Sequence, residues 1–288
     1  MKIKKVLIVY KKSSYEEHAL QEKDPNYLRL VRERSVAIGG SKKIHQEHLE
    51  TFWQVQEDLA SLGIPFVIRQ RYYLKEVLGY NLILTIGGDG TFLEASHYVS
   101  DQLLMGINSA PSQSVGYYCR TYRKNFRQKM MAILRGKFRL QRLARLLVRL
   151  PRGERVPLVL NDILFTNCHP AGTTRYLLSI GRIEEEQKSS GIWIAPAPGS
   201  TAAIHSAGGR VLPVTSKKFQ FVVREPYQPF GNRYRLLKRI VSPAQEIKIL
   251  SMMDEAAIYV DGPHLMFPLR RGEKFTVCQS NQPLYAVW

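Results

Sequence analysis

Cysteine is scarce. Cys119, Cys168 and Cys278 are the three in 288 residues, far apart and without CxxC or CxH spacing, so neither a disulfide framework nor a zinc site is indicated and a reducing compartment fits. Acidic side chains are also few: 24 Asp plus Glu stand against 42 Lys plus Arg, a formal net charge of +18. Such a field concentrates polyanions, whether nucleotide, polyphosphate, nucleic acid or acidic lipid, and does not choose among them. A solvated basic surface with no partner is the bland alternative. Long apolar runs are missing too. The longest apolar run of the opening MKIKKVLIVYKK is Val6–Tyr10, far short of the roughly 20 needed to span a bilayer and shorter than a signal-peptide core. It reads as a first strand, and the absence of an Arg- and Ser-rich leader sets the expectation of a cytoplasmic, bacterial protein. Internal repeats and low-complexity tracts are absent as well. What remains is a chain with 44% hydrophobic residues, long enough for one large or two medium domains with proper cores.

The most informative stretch is Asn81–Glu94, NLILTIGGDGTFLE. Its apolar start is a strand buried on both faces. Gly87, Gly88 and Gly90 then surround Asp89, so the backbone is expected to take positive φ and to let a ligand approach without a Cβ in the way. From Thr91 the pattern is helical. A glycine run between a strand end and a helix N-terminus suits phosphate, because free N–H groups and the helix dipole both favour an anion. A carboxylate inside such a cradle needs a task, such as gripping a hydroxyl that is to be phosphorylated or holding a metal.

Around this stretch the first half alternates strands and helices. Ser14-x-x-Glu17 matches a helix capping box, Pro25 interrupts the helix that follows, and Gly39 and Gly40 break the chain. Ile44, Leu49, Phe52, Val55, Leu59 and Leu62 then mark an amphipathic helix ending at Gly63. Strands follow at 64–68, 82–86 and 103–107, with a short element at 72–78 and a basic helix at 124–135 closed by Gly136. The β-α-β order implies an open, mostly parallel sheet with ligands beyond the carboxyl ends of its strands. Asn108 opens NSAPSQSVGYYC, a turn-rich segment with the look of a binding loop. From about 138 the texture becomes short alternating runs separated by turns. The expected architecture is an α/β domain over 1–137 and a β-rich domain over 138–288, with a single helix, 200–207, in the second.

Three further stretches place polar residues beside glycine or proline: Asn161-Asp162, Lys188-Ser189-Ser190-Gly191, and Gly199-Ser200-Thr201. Asp261-Gly262 marks a hairpin. An Asn beside a carboxylate can read an adenine edge and a ribose diol, since the amide both donates and accepts and the carboxylate accepts from hydroxyls. A bulge, a turn or a helix cap explains each stretch equally well when taken alone.

In this order, with GGDGT at 87–91 and GSTA at 199–202, the stretches resemble the NAD kinase family, and the likeness covers most of the chain. The opening VLIVYKKSSYEEH, the GIN at 106–108 and the QKSSG at 187–191 look most like the mitochondrial NAD kinases of animals. The fold implied is NAD kinase/diacylglycerol kinase-like. The activity implied is transfer of the terminal phosphoryl of ATP, or of polyphosphate, to the 2′-hydroxyl of the adenosine ribose of NAD, with magnesium carried by ATP. By resemblance Asp89 orients and deprotonates that hydroxyl while Gly87, Gly88, Gly90 and Thr91 shape the phosphate cradle. Asn161 holds adenine, Asp162 the ribose, and Thr201, Ala202 and Ser206 the base edge, with Gly199 and Ser200 also among the nucleotide-binding residues. Tyr117 lines the adenine pocket, Asn108 belongs to the binding loop, and Lys188 meets phosphate. Asp162 stands where the family has Glu, Ser190 where it has Asp, and Ala203 where it has an aromatic residue. A homo-oligomer is also implied, because family sites borrow residues across subunits. Two other readings stay open: a lipid kinase of the diacylglycerol type, which shares a GGDG loop, and a non-catalytic nucleotide- or nucleic-acid-binding homologue. No nucleic-acid motif and no amphipathic membrane helix is present.

Overall fold

In the computed structural model, which describes residues 3–33, 38, 40–227 and 234–288, the continuous apolar runs of the first half become neighbours in one sheet. The strands are β1 (Val6–Tyr10), β2 (Phe66–Gln70), β3 (Leu82–Gly87), β4 (Leu103–Asn108), the two-residue β5 (Thr121–Tyr122) and β6 (Leu140–Leu143). Their order is β2-β1-β3-β4, then the C-terminal strand Leu284–Val287, then β6, with β5 beside β4. The pairs β1–β2, β1–β3, β3–β4 and β4–β5 are all parallel. Every residue of β3 and β4 is buried, which is why those strands are apolar without alternation.

The helices are α1 (Pro25–Arg32), α2 (Ser41–Ser61), α3 (Asp89–Ser96) and α4 (Arg123–Leu134). Val55 and Leu59 of α2 and Phe126, Met130 and Ile133 of α4 share a core with Ile8, Leu84, Met105 and Val287. Helix α1 is capped by Asp24, whose carboxylate accepts the N–H of Asn26 and Tyr27, with Pro25 at its first position. Two expectations shift here. The segment after β1 is a π-helical turn, Tyr15–Gln21, and Ser14 makes no side-chain cap; the Ser13 hydroxyl accepts the Glu16 N–H instead. Gly40 takes φ +84 just before α2, whereas Gly39 lies outside the described residues.

The chain divides into two compact units, residues 1–141 with 285–288, and residues 142–284. The boundary therefore falls a few residues later than 137/138, after the first half of β6, and the last four residues return to the first unit because Tyr285 and Ala286 pair in parallel with Leu103 and Leu104.

The second unit is an antiparallel sandwich. Its strands are β7 (Leu146–Arg149), β8 (Ile163–Asn167), β9 (Thr174–Ile180), β10 (Ile183–Ser189), β11 (Gly191–Pro196), β12 (Phe219–Arg224), β13 (Lys238–Val241), β14 (Glu246–Ser251), β15 (Ala256–Val260), β16 (Leu265–Leu269) and β17 (Lys274–Gln279). One sheet runs β10-β9-β14-β17-β7 and the other β13-β12-β11-β8-β15-β16. Phe165 on β8 meets Tyr176 on β9 edge-on at 5.5 Å and Phe275 on β17 at 5.3 Å, so the two inner faces share one core. The helix expected at 200–207 is two short pieces, a 3₁₀ turn at Pro198–Thr201 and an α-helical turn, α5 (Ala203–Ser206), kinked apart at Ala202.

Candidate active site

Glycine at 87 and 88 answers a problem of space. A Cβ on Gly87 would overlap the Thr91 hydroxyl, and one on Gly88 would come within 3.3 Å of Ser114 Oγ. None of Gly87, Gly88 and Gly90 adopts positive φ, so the expected left-handed turn is absent and close approach is the reason for two of the three. Gly90 differs: a side chain there would meet nothing, leaving its backbone open on the exposed side. Thr91 is buried with its hydroxyl unpartnered and pressed against Gly87. Its place is under the loop, not on the ligand face as the motif implied.

Asp89, half-buried at the start of α3, is held by the segment after β4. Its Oδ2 accepts the backbone N–H of Tyr117 at 2.8 Å, and its Oδ1 accepts those of Tyr118 at 2.8 Å and Cys119 at 3.4 Å. A carboxylate offers about four acceptor positions, so these bonds lock its orientation and leave capacity for a hydroxyl. Burial, then the Asp89 charge, pushes the Cys119 thiol well above its usual range, and this cysteine is inert packing.

Asn108 shapes that segment. Its amide donates to the Ser114 carbonyl at 2.8 Å and accepts the Ala110 N–H at 3.2 Å, while Gly116, at φ +64, leaves room for it. The side chain is buried and its amide bonds organise the loop. Tyr117 is half-exposed, and the Arg120 guanidinium lies over its ring at 5.5 Å and over the Trp288 ring at 3.7 Å. Tyr117 thus presents an aromatic face beside the held carboxylate.

Against Gly87 and Gly88 opens a cavity of about 560 Å³, lined among others by Lys11, Ser13, His48, Ser109 and Ser114. Lys11 follows β1 directly. Its ammonium is held below the usual lysine range by burial and then by the Arg71 charge. His48, on α2, bonds Ser109 Oγ through Nδ1 at 2.7 Å. Burial, then the Lys11 charge, pushes His48 down to about 4, so it is neutral near pH 7. A partly desolvated cation, hydroxyls and the N-terminal amides of an eight-residue helix form an environment for phosphate. His48 stands in no recognisable motif, whereas Lys11 lies in the opening VLIVYKKSSYEEH, at a strand's carboxyl end.

In the second unit, Asn161 and Asp162 lie just before β8. Asn161 Nδ2 donates to Asp162 Oδ2 at 2.8 Å, and Asp162 is 5% exposed. Burial, then the neighbouring Asp261 charge, raises its carboxyl to about 7 against the lowering effect of Asn161. Asp261, read in the sequence as a hairpin marker alone, accepts the backbone N–H of Leu160, Asn161 and Asp162 at 3.0, 2.7 and 3.1 Å.

The GSTA turn packs on this pair. A Cβ on Gly199 would collide with the Asn161 carbonyl, so the two motifs touch through backbone. Ser200 is fully buried: it donates to the Ala197 carbonyl at 2.7 Å and accepts the Leu212 N–H at 2.9 Å. Its hydroxyl closes the turn. Thr201 and Ser206 are exposed and Ala202 half-buried, free to face a ligand.

Lys188 and Ser190 go elsewhere. Strand β11 runs antiparallel to β8 with Ile192 opposite Phe165 and Ile194 opposite Ile163, so Ser190 sits by Thr166, whose hydroxyl donates to its carbonyl at 3.2 Å. Six residues of extended strand, roughly 20 Å, separate this end from Gly199. Within one chain the KSSG segment does not join the Asn161 cluster.

A parallel sheet with a glycine–aspartate loop, followed by a β-sandwich carrying an Asn-Asp pair whose acid is buried, is the frame of a nucleotide-binding phosphotransferase. The chain matches no family model. It is 30% identical over 263 residues to a probable NADH kinase of Oryza sativa, covering 83% of this chain and 81% of that one. It is 29% identical over 231 residues to an NADH kinase of Arabidopsis thaliana, covering 72% of each. The fold is shared with an NAD kinase from Archaeoglobus fulgidus, solved in complex with ATP, at a TM-score of 0.69 and 19% identity over 99% of this chain and 93% of that one. The chain belongs to the NAD/NADH kinase family.

Proposed function

We propose that this protein is an NAD kinase, transferring the terminal phosphoryl of ATP to the 2′-hydroxyl of the adenosine ribose of NAD or NADH. Family membership supports the reaction class. The observation that carries it is the Asn161-Asp162 pair, fixed by backbone contact with the GSTA turn. A paired amide and carboxylate recognise a base edge and a ribose diol, which a lipid acceptor would not need.

In this reading the acceptor's adenosine lies on Asn161, Asp162, Thr201, Ala202 and Ser206 of the second unit. The donor would enter as the magnesium complex of ATP, whose cation would offset phosphate charge. Among the described residues no group of three or more His, Cys, Asp or Glu forms a metal cage, and a metal brought by the triphosphate asks for none. Lys11 and the amides at Gly88–Gly90 offset phosphate charge. Asp89 aligns the 2′-hydroxyl and takes its proton as the new O–P bond forms and ADP leaves. A carboxylate is a weak base toward an alcohol, so in a loose transition state alignment is its larger contribution.

The position of Lys188 and Ser190 favours a homo-oligomer in which this segment of one copy completes the acceptor site of another. No described helix is long and apolar enough to cross a membrane, and all three cysteines are free. The test is incubation with magnesium, ATP and either NAD, NADH or diacylglycerol. NADP or NADPH supports the reading, phosphatidic acid supports a lipid kinase, and no product supports a binding-only homologue.

A further inference from the structure

The turn between β15 and β16 carries a feature that the kinase reading leaves unused. Asp261 sits there at φ +50, a left-handed backbone that costs a non-glycine residue energy and persists where the surroundings impose it. Its surroundings do so. The Asp261 carboxylate accepts three successive backbone N–H groups, those of Leu160, Asn161 and Asp162, while its own N–H donates to the Asp162 carbonyl at 2.9 Å. A carboxylate gathering three amides in a row specifies the path of that backbone far more tightly than strand pairing does, and the pairing of β8 with β15 begins only at Ile163. The middle one of these three residues, Asn161, is also the one whose backbone meets Gly199.

We infer that Asp261 is a positioning residue for the acceptor: it fixes the Leu160–Asp162 backbone, and so determines where Asn161 and Asp162 present their side chains to the adenosine. The inference rests on the reading of that pair as the adenosine site.

After burial, the Asp261 charge is the next influence on its neighbour Asp162. Asp162 is buried and faces Asn161, which donates to it, and Asp261, which repels it; both effects act on the carboxyl that titrates at about 7. On the other side stands Arg145, 1% exposed, its guanidinium donating to the Gln282 and Pro283 carbonyls. Burial lowers Arg145 to about 10 while the Asp261 charge works in the opposite sense. Asp261 is thus shared between a buried cation and the ligand-facing acid. The ionised form of Asp162 is the one that accepts from ribose hydroxyls, so affinity for NAD falls as pH drops through that value. Removing the Asp261 charge relieves the repulsion and moves the fall to lower pH.

The experiment compares wild type with Asp261→Asn and Asp261→Glu, measuring kcat and KM for NAD and for ATP across the neutral pH range. Stranding buried amides gives a rise of about tenfold or more in KM for NAD. We expect that rise in Asp261→Asn with KM for ATP within about twofold, an acid limb of kcat/KM displaced to lower pH, and partial recovery in Asp261→Glu. An unchanged KM for NAD with an unmoved limb overturns the inference, as does equal damage to both substrates. Should Asp261→Asn fail to fold, Asp162→Asn decides. Loss of the wild-type acid limb supports coupling of the pair, and its persistence overturns it. A wild type that makes no NADP overturns the kinase reading itself and takes this inference with it, whereas an active wild type with an indifferent Asp261→Asn overturns the inference alone.

Discussion

Gly199 rests on the carbonyl of Asn161 with no space for a Cβ between them. The contact is backbone to backbone, so no rotamer change can relieve an added methyl. Gly199→Ala must displace either the 3₁₀ turn or the Asn161 peptide. We expect KM for NAD to rise by about tenfold or more, with a loss of stability of about 1–3 kcal/mol as for other overpacked sites, read by steady-state kinetics and thermal unfolding. Wild-type values would show that the two segments are separable.

Asp89 invites a graded pair of substitutions. Asp89→Asn keeps the size and one acceptor for the Tyr117–Cys119 amides, but loses the charge that takes the proton. A fall in kcat of about 10²–10⁴ is expected, with folding retained. Asp89→Ala also frees the three amides, so its unfolding temperature should drop below that of Asp89→Asn.

Ser200 tests the division between holding a turn and touching a ligand. In Ser200→Ala the buried Leu212 N–H loses its acceptor, at a cost of about 1–3 kcal/mol. KM for NAD should stay within about twofold. A large KM effect without loss of stability would return Ser200 to the ligand face.

His48 and Asp162 make opposite contributions to pH-dependent stability, one in each unit. The folded chain holds His48 down to about 4, while the unfolded chain takes up that proton near 6.5. Stability from the first unit is therefore full above about pH 6.5 and lost as pH falls toward 4. Asp162 keeps its proton up to about 7 when folded and releases it near 4 when unfolded, so its contribution declines as pH rises between those values. Amide exchange resolved by unit should show the two trends with opposite slopes, and His48→Gln should flatten the first.

Much of the frame could be read from residue order alone. Leu82–Ile86 is apolar without alternation because both faces of β3 are covered, and the glycines that follow can only mark a close approach. The alternation in β9 and β14 likewise follows from one buried face. What could not be read was how polar motif residues spend their hydrogen bonds. Asn108, Thr91 and Ser200 look like ligand contacts in a string of letters, yet each is buried, and folding turns two of them inward to close a loop or turn. Asp261 shows the converse. Its partners lie about a hundred positions earlier, and no local pattern announces a carboxylate that serves a distant backbone. Lys188 and Ser190 look contiguous with the GSTA turn, but an intervening strand carries them to the far end of the sheet.

The most direct test of the account is phosphorylation of NAD by the purified protein with magnesium and ATP, run beside Asp89→Asn and read by enzymatic detection of NADP. The account predicts NADP from the wild type and a loss of about 10² or more in the folded variant; no NADP from either protein, or equal amounts from both, would contradict it.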